Sequence, residues 1–253
     1  MIKNLKERVR KFKDSGNIFE RYIYILLNIL KISVLLLTNA RLRAELFAKW
    51  RKKSNHYQIS TYTISDRYPL IFKECSNYLK QIESPQIISF GCSTGEEVRT
   101  IGKYIPNAII YGIDINKWCI KQCIKQNITA THFFYHRTSK EFETLQNVDA
   151  IFCMAVFQKT DDRIPGKKTD NKFFTFQSFE KEIILLDYKL KKDGLLIIDF
   201  SDFNFTDTVV SKKYVPLDFA KNRLLRRSPL FDKNNKKVAD EKYLYRVFVK
   251  QLE

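Results

Sequence analysis

Residues Ile87 to Val98 read IISFGCSTGEEV: an apolar run ending at Phe90, then Gly91, a polar turn, Gly95 and two carboxylates. A short apolar run that stops at a glycine reads as a buried strand. The segment Glu96–Tyr104 that follows reads as a helix, and acids in a first helical turn are favoured by the helix dipole. Gly91 lets the chain leave the strand with little steric restriction. Gly95 lets the helix begin close to a bound molecule. Ser93 and Thr94 lie between them with hydroxyls able to donate.

The same alternation continues on both sides of this turn. Ile87–Phe90, Ala108–Ile113, Thr131–Tyr135, Ala150–Met154 and Leu195–Phe200 are short apolar runs. Between and after them, Glu96–Tyr104, Lys117–Gln126 and Phe176–Lys191 carry helical patterns, and a further helix from about Leu70 to Ile82 stops before Pro85. Strands separated by helices of ten or more residues form βαβ units, so the fold class is α/β with a Rossmann-like parallel sheet covered on both faces. Ligands of such sheets bind at the carboxyl ends of the strands. The first strand and its turn are the natural cofactor site, and Asp114, in YGIDIN, ends the neighbouring strand 23 residues after Gly91. A carboxylate there is placed to accept hydrogen bonds from ribose hydroxyls. Ile115 and Asn116 border it, with Asn116 also a candidate N-cap.

Composition narrows the class. The 253 residues, 44% hydrophobic and 14% aromatic, suffice for one large domain with an appendage, and exclude a disordered or collagen-like chain. The five cysteines (75, 92, 119, 123 and 153) are odd in number and form no C-x-x-C pair. They read as free thiols rather than as a disulfide framework or a structural zinc site. The formal charge of +17 is carried by the two ends. Residues 1–53 hold 14 Lys and Arg against 4 Asp and Glu, and residues 211–250 hold 12 against 4. Such ends attract phosphate in nucleic acid or at an anionic membrane.

Within residues 1–66, expected to form a helical extension and connector, Tyr22–Leu37 is a run of 16 mostly apolar residues. As a helix it measures about 24 Å, short of the roughly 20 residues a membrane span requires. It therefore reads as a helix packed on its own domain or on a second copy, or as one lying in a membrane interface with its basic flanks near anionic headgroups. The cytoplasm, at or near the inner membrane face, is the expected location.

Taken in order, FGCSTGEE, YGIDIN, VDAIFCMAVFQ and LKKDGLLIIDF resemble the cofactor and core motifs of the class I S-adenosylmethionine-dependent methyltransferases, and the resemblance covers residues 67–253. The loop CSTGEE is similar to that of the chemotaxis-receptor glutamate methyltransferases; the chain as a whole looks more like uncharacterised bacterial methyltransferases. The resemblance implies a seven-stranded sheet whose last strand runs antiparallel, with Pro229–Phe231, the turn DKNNKK and Tyr243–Lys250 at its end. It implies S-adenosyl-L-methionine as cofactor, bound by Gly91, Cys92, Ser93, Gly95, Glu97, Asp114, Ile115 and Asn116, with no metal. Two features of the residues agree with it. Gly91-x-x-x-Gly95 is not the G-x-G-x-x-G phosphate turn of dinucleotide enzymes. The acids at 96 and 97 suit an ammonium and oppose a pyrophosphate. Either Glu97 pairs with that ammonium or Glu96 and Glu97 only favour the helix start.

Other candidates are less constrained. Arg137, Thr138 and Ser139 follow the third strand, on the adenine side, along with His132 and His136. Cys153 and Met154 end the fourth strand as core residues. His56, Tyr57, Tyr62, Arg67 and Tyr68 belong to a connector that could fold over the site. Asp202 and Asn204, after the fifth strand, are the catalytic or substrate candidates. The expected acceptor is a glycan or lipid-linked small molecule; RNA and a protein carboxylate are alternatives, as is a scaffold that binds the cofactor without turnover.

Overall fold

The computed structural model describes residues 12–51, 61, 63–158, 174–217, 231–238 and 245–252. The chain divides into two compact units, Met1–Phe47 and Ala48–Glu253. That division lies ahead of the expected boundary at residue 66.

The first unit contains a long helix, α1 (Ile18–Thr38), and the start of α2 (Ala40–Arg51). The apolar run is only the later part of α1. The Asn17 side chain accepts from the Phe19 amide and so starts the helix ahead of Tyr22. Glu20 and Arg21, good helix formers, extend it. The helix has 21 residues rather than 16, a length of about 31 Å, which corrects the length expected above.

The second unit is built on α3 (Pro69–Leu79), β1 (Gln86–Phe90), α4 (Glu96–Tyr104), β2 (Ile109–Asp114), α5 (Lys117–Gln126), β3 (His132–His136), α6 (Lys140–Thr144), β4 (Val148–Met154), α7 (Phe176–Lys189), β5 (Leu190–Asp199), β6 (Tyr214–Pro216) and β7 (Val247–Lys250). Seven strands form one sheet in the order β3-β2-β1-β4-β5-β7-β6. Strands β1 to β5 pair in parallel, and β7 runs antiparallel to both β5 and β6. The sheet is the seven-stranded one that the resemblance implies, antiparallel β7 included.

The central strands β1 and β4 bury both faces, as a doubly covered sheet requires. Ile88, Phe90, Ile151 and Ile198 join Phe142 of α6 and Phe179, Ile183 and Leu186 of α7 in one layer. Ile87, Ile110, Phe152 and Ile197 join Phe72 of α3, Val98 and Ile101 of α4 and Cys123 of α5 in the other. This period of two decides which strand residues meet which helices.

The carboxyl-terminal pairing differs from expectation. The partner of β7 is β6, at Tyr214–Pro216, not a strand around Pro229–Phe231. Phe231 instead forms an isolated bridge to Lys237 across the polar turn, and Pro229, Leu230 and residues 243–244 lie outside the described residues. In β5, Leu195–Asp199 pair with Ala150–Met154, and the ladder shifts register before resuming at Val148 and Leu190.

Candidate functional site

The order β3-β2-β1-β4-β5 reverses between β1 and β4, so a crevice is expected at the carboxyl ends of those two strands. Backbone in the left-handed region gathers there. Gly91 (φ 82°), Ser93 (φ 51°) and Gly95 (φ 89°) follow β1, Ala155 (φ 59°) follows β4 and Phe200 (φ 53°) follows β5. Three of the five have a side chain, and non-glycine residues in this region are held by their surroundings and concentrate at ligand sites.

The loop after β1 is tied to β2. The Gly91 and Cys92 amides both donate to the Ile113 carbonyl, at 2.7 and 3.0 Å. The Asp114 carboxylate then accepts from the Ser93 amide at 2.8 Å and from the Asn116 amide at 2.7 Å, one on each oxygen. Burial pushes Asp114 up to about 6, against the opposing effect of these backbone donors. Asn116 caps α5 through the Trp118 amide. Each carboxylate oxygen retains acceptor capacity beyond the amide it holds.

Gly91 is needed twice over. Its φ disfavours a side chain, and a Cβ there would lie 2.5 Å from Cγ2 of Val156, in the loop after β4. Gly91→Ala is expected to destabilise the protein by about 2–4 kcal/mol, the sum of left-handed strain and overpacking. Urea denaturation would measure it. Adding Val156→Ala should recover the overpacking part and leave the strain.

Glu96 and Glu97 divide their roles. Glu96 accepts from the Thr94 hydroxyl at 2.7 Å and pairs with Arg99 at 3.3 Å, which keeps it at the helix start. Glu97 turns back under the loop and accepts from the Ser89 hydroxyl of β1 at 2.7 Å. Burial pushes its carboxyl up to about 8, opposed by the Ser89 hydrogen bond and by the Arg67 guanidinium. Glu97 in turn helps raise the buried Cys153 thiol of β4, after burial itself. A half-buried acid therefore sits where β1, β4 and the connector converge. Ser89, fully buried within an otherwise apolar strand, is the signal that the sequence reading passed over.

The connector approaches the same place. Thr61 receives the Ser93 hydroxyl on its carbonyl at 2.9 Å. The Arg67 guanidinium lies 5.3 Å from the Tyr68 ring centre and 5.4 Å from that of Phe200, the left-handed residue after β5. His56, Tyr57 and Tyr62 lie outside the described residues. Under the loop, the Cys123 thiol reaches the Ser93 carbonyl at 3.2 Å, and Cys92 is buried beside it. All five cysteines are free and buried, as expected.

On the β3 side, Nε2 of His136 is 2.9 Å from the Ile115 carbonyl and Nδ1 faces the Thr138 amide, an arrangement that fits a neutral ring with its proton on Nε2. Burial holds His136 below its ordinary value. Arg137 turns away from the crevice to pair with Glu182 of α7 at 2.8 Å, and Ser139 caps α6.

The residues after β5 have structural duties. Asn204 accepts from the Thr206 amide and caps a short 3-10 turn. Asp202 is 1% exposed, its amide donates to the Phe157 carbonyl, and its carbonyl accepts from Phe231. Ala155 and Phe200, both left-handed, directly follow β4 and β5. Among the described residues no cluster of His, Cys, Asp and Glu could hold a metal ion.

No protein-family model matches the sequence, and no curated protein is similar to it. Solved structures similar to this chain include methyltransferases. The plantazolicin methyltransferase BpumL in complex with SAH is 18% identical over 65% of this chain and 55% of its own, with a TM-score of 0.37. PKMT2 from Rickettsia typhi in complex with AdoHcy is 17% identical over 54% and 25%, with a TM-score of 0.39. The precorrin-6y C5,15-methyltransferase from Geobacter metallireducens is 12% identical over 55% and 66%, with a TM-score of 0.37. This chain thus spans about half the length of BpumL. At such similarity the fold rests on this chain's own sheet: seven strands, with the last one in sequence antiparallel to its neighbours.

Proposed function

We propose that the protein is an S-adenosylmethionine-dependent methyltransferase. The observation that carries this is Asp114: a half-buried carboxylate at the end of β2, fixed by the Ser93 and Asn116 amides beside a left-handed turn. Its remaining acceptor capacity suits the paired hydroxyls of a ribose. Gly91, Cys92, Ser93 and Gly95 border the methionine part, Ile115 and Asn116 the adenosine. Glu97 answers the ammonium. A pyrophosphate fits poorly, because two carboxylates, Glu96 and Glu97, stand in the first helical turn where a phosphate would bind.

The bound sulfonium supplies an electrophilic methyl group for in-line transfer to a nucleophile. The chain's part is alignment and exclusion of water, worth many orders of magnitude in rate when the reacting atoms are held in place. Asp202 and Asn204, the expected catalytic residues, are buried or engaged as a cap, so no base is assigned to them. An acceptor already anionic at neutral pH, such as a carboxylate, needs none.

We assign the acceptor to a lipid-linked or glycan precursor at a membrane, because the apolar, basic first unit supports work at a lipid surface. RNA and protein carboxylates remain the competing acceptors, and a non-catalytic cofactor-binding scaffold is the competing class. Calorimetry with S-adenosylmethionine, S-adenosylhomocysteine and NAD is expected to show binding of the first two and none of the third. No heat from the first two at millimolar concentration overturns the proposal. Labelled methyl transfer to separated lipid, glycan, protein and RNA pools then identifies the acceptor; a protein that binds and never transfers is the scaffold.

A further inference from the structure

Helix α1 is the one helix among the described residues long and apolar enough to cross a membrane, and none of its residues is buried. At 100° per residue, Glu20, Arg21, Tyr24, Asn28, Lys31 and Thr38 fall in a single strip about a third of the way round. Ile25, Leu26, Ile29, Leu30, Val34 and Leu37, all exposed, cover the remainder, in which Ser33 is the one polar residue. We infer that α1 spans a lipid bilayer and anchors the chain to it.

Circumference is the first argument. A partner helix covers a stripe roughly 100° wide, which would leave half or more of this apolar surface in water. A helix lying in the interface presents a broad charged face; α1 has three charged residues in 21. A surround of lipid covers two thirds of a helix, which a single partner helix does not. Length is the second: 21 residues rise about 31 Å, matching a hydrocarbon core of about 30 Å.

The third argument is the state of the helix ends. A membrane penalises backbone groups without partners, and the last carbonyls of α1 are provided for. Thr38 Oγ1 donates to the Val34 carbonyl, the Asn39 amide donates to Leu35, and Nη1 of Arg43 donates to both Leu36 and Leu37. At the other end Asn17 holds the Phe19 amide. Lys13 precedes the helix, and Arg41 and Arg43 follow it, placing cations at both headgroup layers. Lys31 is seven residues from Thr38, about 10 Å, and its flexible stem can carry the ammonium outward.

The inference is independent of the reaction assigned above. Membranes from cells expressing the full chain, washed with high salt and then alkaline carbonate, are expected to retain it until detergent is added. The intact mass should include residues 1–40. Introducing Leu27→Arg and Leu30→Arg together is expected to shift most of the protein to the soluble fraction, while Leu27→Ile with Leu30→Ile leaves it in the membrane. Release by salt or carbonate would show an interfacial helix and overturn the inference. So would a soluble dimer, or a mature chain that has lost the segment as a cleaved signal.

Discussion

Replacing Asp114 by alanine is expected to weaken S-adenosylmethionine binding by about 100-fold or more, with the sheet still folded. Hydrogen bonds to a charged group contribute about 1.5–3 kcal/mol each. Losing two to a ribose removes at least about 3 kcal/mol, and each 1.4 kcal/mol is tenfold in affinity. The alanine also takes the acceptor from the Ser93 and Asn116 amides, so the loop after β1 keeps its ties to the Ile113 carbonyl and loses the one at Ser93. Asp114→Asn separates these effects. It keeps one carbonyl oxygen and should cost nearer tenfold. Titration calorimetry reads the affinities, and circular dichroism confirms that each variant is folded. Unchanged affinity in the alanine variant would remove Asp114 from the site and with it the main support for the proposed cofactor.

The parts of this site that could be read from sequence are those where a residue type answers a local backbone demand. Gly91 and Gly95 adopt left-handed conformations that favour glycine, Asn116 caps a helix, and Asp114 ends an apolar strand. Strands β1 to β4 were expected to within two residues because each is a short segment rich in Ile, Phe and other apolar residues. In contrast, β6 has three residues, two of them exposed, and α6 has five; neither is long enough to display a period. The roles of Glu96 and Glu97 could not be told apart locally. Adjacent helical residues point about 100° apart, and only the packing of α4 against β1 decides which of them meets Ser89. The placement of Asp202 likewise depends on Phe157 and Phe231, both distant in sequence. Arg67 joins the site through a ring at position 200, a pairing that no local pattern announces.

Glu97 leads to the second large effect, a proton expelled when the cofactor binds. With its carboxyl raised to about 8, Glu97 is about 90% protonated at pH 7. An ammonium brought against it favours the ionised form, so binding at pH 7 is expected to release up to about 0.9 proton. Calorimetry in buffers of different ionisation enthalpy measures that number directly. The ionised fraction of such a group grows roughly eightfold from pH 6.5 to 7.5, and partial loss of the ligand's own amine charge trims the expected rise in affinity to about fivefold. Above about pH 8, where that amine is half deprotonated, the gain stops. Glu97→Gln is expected to release no proton and to flatten the rise. The same residue shapes the stability of the free protein with a definite sign. Its folded value lies above the ordinary 4.5, so between about pH 4.5 and 8 the folded chain holds a proton that the unfolded chain has given up. Its contribution is therefore greatest below that window and is lost as pH rises through it. The melting temperature of the unliganded protein should fall across this range by more than that of the glutamine variant. Proton release in the native protein that persisted in Glu97→Gln would place the titrating group elsewhere and leave the ammonium without the partner assigned to it.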